Sequence, residues 1–487
     1  MDYEVVVVGS GIGGLTVAAL LAARGVSVCL LERASQPGGV IASVQSFGYT
    51  FDPGVGIYPF WEPGEIHDHI FRELPVSPPE VRPERLAYVV RLPDQTEIPL
   101  STDVDEFEAS LLYSFPECGE QALKFYRTCA RLNEAHPRPD SRKSSGGFLQ
   151  RIRRLGSSNR EAEIDEAKTH TASEYLTDTS PRFRRFIDVQ LQLLTQCSSD
   201  ACSHLRAATA LAIPRRCTYS IEGGAPALAA KLADSIKQSS GKIRYDTPVL
   251  RLAYDSNGKA RGVDLLSGET VAASRAIISN LTIWDTYGKL IGLNRTPTEI
   301  RKRLNGTRSC GAYLVFLGLD NSAVDLLPAD RILSVPDWRD QEESDPGISQ
   351  LLLAAAPPWD ARAPEGKRAA TVLAFTDVDE WFTFHESAEE QEKNEQAMLE
   401  KVWQRLYAGV PDLGGDVELI ETATPLTCYE LTRRKLGMVG TPNPLFHSEA
   451  GKTSLENVFM VGDTNLACGG IASVSRSALA LANLLTS

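Results

Sequence analysis

The sequence predicts an α/β protein: a Rossmann-like parallel-sheet domain built from separate stretches, interrupted by a discontinuous α+β domain. Three observations predict it. A glycine-punctuated strand-helix-strand unit opens the chain at Val5–Arg33. The same α/β order returns at Ile221–Leu252. A strand, Gly-Asp turn and glycine pair lead into a final helix at its end. The intervening stretches lack parallel-sheet character, and 487 residues exceed one ordinary core.

In the first unit, Val5 to Val8 is a β-branched apolar run, read as a strand buried on both faces. Gly9, Gly11 and Gly14 satisfy G-x-G-x-x-G, with Ile12 and Gly13 inside the turn. The first glycine permits the tight turn, the second a close approach to pyrophosphate, and the third close helix–strand packing. Leu15, Ala18, Ala19, Leu21 and Ala22 make the next helix apolar, with its positive end at the phosphates. Gly25 ends it, and Val26 to Leu31 is the second strand, with Glu32 at its end. A carboxylate there suits a ribose hydroxyl and repels a 2′-phosphate, which disfavours NADP.

Next comes a glycine pair, Gly38-Gly39, a hairpin over IASVQSFGYTFD, and a turn at Asp52-Pro53-Gly54 with Val55 and Gly56 behind it. A nicotinamide domain would continue with strand-helix units here, so this insertion points away from NAD. From about Pro75 to Pro214 the pattern reads as two short strands within Leu86–Leu100, then helical regions at 103–135 and 172–211. Gly223-Gly224 then precede a helix to Lys237. A strand is expected over Lys242–Leu252, and Ala260–Leu266 and Thr270–Ser279 complete a meander. Ser309–Leu319 and Ala369–Phe375 are apolar strands of a second sheet, and 386–407 is an acidic amphipathic helix. At the end, Val458–Val461 is a buried strand before Gly462-Asp463, and Gly470 and Ile471 open the last helix. That helix offers amides and a positive dipole to an electron-rich group.

Composition sets limits. Net charge is −13, which disfavours nucleic acid as a partner. Nine cysteines show no metal spacing, so no metal site is expected and reduced thiols in a cytoplasm are the simple reading. No apolar run has the length of a membrane span. One stretch, 141–160, carries six Arg and Lys and no acid, with Phe148, Leu149, Ile152 and Leu155 interleaved. It reads either as a solvated loop or as a surface helix making peripheral contact with anionic lipid.

The order GSGIGG, Glu32-Arg33, PGG, FDPG, the central glycine pair with its helix, and VGDTN…GGIASVSRSA resembles the phytoene desaturase and carotenoid isomerase family. That family includes retinol saturase-like enzymes and sits within the flavin amine oxidase superfamily. The resemblance covers most of the chain. It implies an FAD-binding domain of glutathione-reductase type, split over 1–74, 215–285 and 445–487, with a substrate domain over 75–214 and 286–444. It also implies noncovalent FAD and a long apolar isoprenoid or polyene as substrate, desaturated or isomerised. Gly9, Gly11, Ile12, Gly13 and Gly14 would hold the diphosphate, and Glu32 the adenosine ribose. Arg33, Gly38 and Gly39 would line the diphosphate and ribityl region. Gly54, Val55 and Gly56 would pass near the ring, Val249 would meet adenine, and Gly462, Asp463, Gly470 and Ile471 would close over the ribityl chain and ring. The family often has Arg after the glycine pair, where this chain has Val40. For acid–base roles the candidates are Arg476 and Tyr219, with His204, Arg206 and Tyr429 behind them; each also has an ordinary structural reading. Two other functions fit parts of the pattern. Cys428-Tyr429 is loosely similar to the pair that tethers flavin in some amine oxidases, and a flavin-containing lipid carrier would keep the cofactor blocks without turnover.

Overall fold

The computed structural model describes residues 2–54, 56–135, 157–338, 348–382, 388–415, 417–441, 451–465 and 470–487. A seven-stranded sheet gathers strands from both ends and the middle of the chain. They are β1 (Asp2–Val8), β2 (Val28–Leu31), β3 (Lys242–Arg244), β4 (Val249–Tyr254), β5 (Ala260–Leu265), β6 (Thr270–Ser279) and β7 (Val458–Met460). Their order is β3-β2-β1-β6-β5-β4, with β7 also paired to β6. β1 runs parallel to β2 and to β6, with Val8 opposite Leu31 and Ser279. Its valines are buried on both faces, Val5 and Val7 under helices and Val6 and Val8 against Val263 and Val271 of the meander and Trp284 and Tyr287, which is why the run is continuous rather than alternating. Three helices matter here: α1 (Ile12–Ala23), α2 (Gly224–Gln238) and α3 (Gly470–Thr486). Leu15, Leu228 and Leu481 of these helices share one apolar core with Val5 and Val7.

A second seven-stranded sheet runs Val417–Ala423, Gly311–Asp320, Lys367–Thr376, Leu351–Ala355, Arg331–Ser334, Leu86–Arg91 and Glu97–Ser101 in spatial order. One set of its residues, including Leu314, Phe316 and Leu373, packs on a helical lobe rich in Phe and Tyr. The alternate set, including Val315, Leu317 and Val372, meets Val402 and Leu406 of the helix Ala388–Gly409. The acidic helix therefore has a solvated face and a packed one. The hairpin Val44–Ser46/Tyr49–Phe51 lies against this sheet, and Gly318 leaves room for Tyr49, whose hydroxyl would meet an added Cβ at 2.3 Å.

Three elements are shorter than the pattern predicts. The helical region at 103–135 is two helices, Val104–Ser114 and Gly119–Ala135, broken at Phe115, which takes a non-helical conformation before Pro116. The 172–211 region is a short 3-10 turn at Ala172–Tyr175 and the helices Pro181–Thr195 and His204–Leu211. The strand expected over Lys242–Leu252 is divided into β3 and β4 around Asp246, at φ +50°, and Pro248, which has no amide to donate. Of the basic stretch 141–160, residues 141–156 lie outside the described residues, and 157–160 begin the helix Ser157–Thr169. Among the described residues no helix is long and apolar enough to cross a membrane.

Candidate functional site

The glycine turn at the end of β1 is built by exclusion. A Cβ at Gly14 would stand 2.1 Å from the Gly9 carbonyl oxygen, so only glycine lets α1 approach the strand this closely. Gly9 sits at φ +96°, a conformation that side chains rarely adopt. At Gly11, the N-cap of α1, a Cβ would fall 2.6 Å from Asn280 Oδ1. That N-cap makes no side-chain hydrogen bond and the first turn holds no acid, so the amides and dipole are left for an anion. Ile12, Gly13 and Gly14 are buried in this first turn.

Glu32 closes one side. Its carboxylate accepts from Ser10 N and Oγ, both at 2.7 Å, and from Ala34 N at 2.8 Å. Gly38 N donates to the Ser10 carbonyl, and an added Cβ on Gly39 would lie 3.5 Å from Gly11 Cα. The glycine pair thus rests on the glycine turn, with Val40 in a single 3-10 turn, Gly39–Ile41. The Arg33 guanidinium donates to the carbonyls of Glu430 and Leu431, in a helix that packs on the Gly39–Ile41 turn. Val249 begins β4, and Thr247 N, two residues earlier, donates to the Glu32 carbonyl.

Asn280 follows β6 and is the residue that the sequence reading missed. Its Nδ2 donates to the Val461 carbonyl, and its buried Oδ1 has no partner. It stands between the glycine turn and Gly462, whose Cβ would lie 3.3 Å from Nδ2. The available signal was its place at the carboxyl end of a parallel strand, where such sheets bind ligands. Gly462 itself takes φ +142°. Gly470 (φ +74°) and Ile471 open α3 beyond it. Ile41 and Ile471 pack with Trp61 against Tyr58, Ile221 and Ala225, so the cradle continues from the glycine pair to the FDPG turn.

There the structure places a second unforeseen group. Asp52 accepts from Gly54 N at 3.0 Å, from Ala225 N at 3.2 Å and, through a very short bond, from the Tyr58 hydroxyl. Gly224 at the head of α2 must be glycine, because a Cβ would stand 2.5 Å from Asp52 Oδ2. Burial, and then the Asp52 charge, push the Tyr58 phenol well above its ordinary range. A cavity of ≈ 20 Å³ lies beside this pair, bordered by Gly54, Gly56, Ser220, Arg331 and Arg362. Val55 lies outside the described residues.

The acid–base candidates disperse. The Arg476 guanidinium is 5.2 Å from the Phe60 ring, which Arg216 also faces at 5.3 Å. Tyr219 pairs with Tyr58 across strands, and burial, helped by Cys217 and Glu62, raises its phenol. Both therefore border the Phe60–Trp61 loop. His204 is buried in the helical lobe, stacked on Tyr175 at 3.7 Å, and Arg206 donates to the Thr195 carbonyl. Tyr429 packs edge-on to Phe382. The neighbouring Cys428 thiol is pushed up by burial, which keeps it protonated and poorly nucleophilic. Among the described residues, no cluster of His, Cys, Asp and Glu could hold a metal ion.

Known proteins are similar to this chain along its length. The NAD(P)-binding Rossmann-like domain family matches residues 7–74. Prolycopene isomerase of Arabidopsis thaliana is 25% identical over 99% of this chain and 82% of its own length. All-trans-retinol 13,14-reductase of Danio rerio is 24% identical over 96% of this chain and 83% of its own. Among solved structures, an oxidoreductase of Methanosarcina mazei aligns over 99% of both chains with TM-score 0.66 at 18% identity. The cyclohexylamine oxidase of Brevibacterium oxydans aligns over 100% and 99% with TM-score 0.62 at 17%. The resemblance read from the motifs thus extends over 96–99% of this chain and 82–83% of those relatives, and the α/β fold is shared with the solved oxidoreductases.

Proposed function

We propose that this chain, whose full-length relatives include prolycopene isomerases and all-trans-retinol 13,14-reductases, is an FAD-dependent oxidoreductase acting on a long apolar polyene or isoprenoid. That full-length similarity carries the reading. The cradle is consistent with it: uncapped amides at α1, an orphaned Asn280 Oδ1 and a carboxylate at the ribose position suit a dinucleotide.

In this reading Gly9, Gly11, Ile12, Gly13 and Gly14 hold the diphosphate and Glu32 the adenosine ribose. Gly38, Gly39 and Val40 follow the chain of the cofactor, Val249 meets adenine, and Gly462, Asp463, Gly470 and Ile471 enclose the ribityl end. The turn at Gly54–Gly56 borders the ring. When bound, the flavin supplies a two-electron acceptor for an allylic C–H bond, or a donor once reduced. The protein orients the reacting carbon and excludes water. Phe107, Phe115, Phe125, Tyr126, Phe183 and Phe186 form an apolar lobe suited to the substrate side. We assign the cofactor unit to 1–74, 215–285 and 445–487, and the substrate unit to 75–214 and 286–444. Cofactor binding is noncovalent, supported by the protonated Cys428. The alternative roles, amine oxidation and passive lipid carriage, find no feature that favours them over this one.

An absorption spectrum before and after acid denaturation and filtration tests the cofactor. Flavin passing into the filtrate is expected; flavin retained on the protein, or none after FAD addition, refutes this reading. Bleaching of the holoprotein under anaerobic conditions is then measured with prolycopene and all-trans-retinol in detergent. Flotation with anionic liposomes at low salt tests peripheral contact through 141–160, and no flotation would refute it.

A further inference from the structure

Asp463 does not stand alone in the cradle. Its Oδ2 accepts from Arg434 Nη2 at 2.6 Å and from Gly440 N at 2.8 Å. Arg434 Nε donates in turn to the Met438 carbonyl at 2.9 Å, so the guanidinium is fixed on two sides. Both side chains are largely shielded, 13% and 28% exposed. Burial pushes the Asp463 carboxyl up, but the Arg434 guanidinium and the Gly440 amide outweigh it and keep the group ionised below the usual range.

The segment that carries Arg434 is itself braced against the cofactor stretches. Its helix, Pro425–Thr432, packs on the Gly39–Ile41 turn and receives Arg33 at its carboxyl end. Lys435 N donates to Asp285 Oδ2 at 3.0 Å. Gly437, at φ +61°, brings the turn back onto the helix; a Cβ there would stand 2.0 Å from the Pro425 carbonyl oxygen. Asp463 follows Gly462, and Gly462 borders Asn280, which borders the glycine turn. A dinucleotide diphosphate would bring two negative charges to the neighbouring glycine turn, and an unpaired carboxylate at the ribityl end would oppose them.

We propose that Arg434 is a positioning residue for the cofactor, clasping Asp463 in place at the ribityl end and cancelling its charge there. The inference rests on the proposed FAD site, and it extends the cradle to a segment outside the nucleotide motifs. Arg434 touches no reacting atom and acts through Asp463.

The test is fluorescence titration of the full-length apoprotein with FAD, for the native chain, R434M, D463N and R434M/D463N. Circular dichroism of each apoprotein monitors folding separately. R434M is expected to weaken FAD binding by about tenfold or more, and R434M/D463N to recover part of that loss by removing the unpaired charge. A polar neutral variant, R434Q, serves if R434M does not fold, and R434K, which keeps the cation but not the second donor to the Met438 carbonyl, is expected to bind between R434M and the native chain. Native-like binding by R434M or R434Q, or no recovery in the corresponding double variant, overturns the clasp while leaving the FAD reading intact. Failure of the native apoprotein to bind FAD overturns both.

Discussion

Acid should loosen this protein through two buried histidines, and one substitution separates their shares. His204 is fully buried between Tyr175 and Phe125, and neither ring nitrogen has a hydrogen-bond partner. Burial lowers its pKa to about 4. His67, stacked on Trp61 at 4.3 Å, is lowered to about 3 by burial and then by the nearby Arg476 charge. An unfolded chain protonates both near pH 6.5. Because the native values are depressed, the stability at stake is present above pH 6.5 and is lost as pH falls toward the native values. Between pH 7 and pH 5 each residue costs about 2 kcal/mol by proton linkage, about 4 kcal/mol together. His204→Phe keeps the stack with Tyr175 and removes the titration. Urea unfolding at both pH values should show the variant losing about 2 kcal/mol less than the native chain on acidification. At pH 7 the variant should be no less stable, since two unpaired buried nitrogens are gone. An unchanged pH dependence in His204→Phe would show that the buried imidazole is not what titrates.

Other expectations follow from the cradle. Gly14→Ala forces a Cβ to 2.1 Å from a backbone oxygen; it should cost about 1–3 kcal/mol or more and abolish flavin retention on gel filtration. Glu32→Ala strands the Ser10 and Ala34 amides; FAD affinity should fall about tenfold or more by fluorescence titration. Cys428→Ala should leave the flavin spectrum and its acid release unchanged, whereas an altered spectrum would revive a tether at that position. Tyr219→Phe and Arg476→Met should be compared by single-turnover flavin bleaching; a variant that keeps the full rate leaves the acid–base candidates.

The fold was legible where spacing is local. The valine run of β1 and the three glycines of the turn lie within ten residues, so sterics alone dictate strand, turn and helix. Proline marked two breaks that the apolar pattern overrode, at Pro116 and Pro248, and both were readable in principle. The site was harder to read where partners meet only through the tertiary fold. Asn280 meets Val461 across 181 residues, and Asp52 meets Ala225 across 173. Neither contact leaves a periodicity or a motif. Arg434 is only 29 residues from Asp463, but an arginine after a short helix has no spacing rule that assigns it to a carboxylate.

The order of strands also dictates when this protein can first function. β1 leaves the ribosome well before its neighbour β6, which follows some 270 residues later, and α3, which packs on α1, follows later still. The glycine turn is therefore made long before the elements that surround it. Until α3 emerges, apolar faces of β1 and α1 stay exposed, and they are natural targets for a chaperone. Cofactor capture becomes a quality check: a nascent chain stalled before Gly462 has the fingerprint but not the far wall. Tail truncation should thus read out as lost flavin and aggregation together, although every residue of the opening motif is intact.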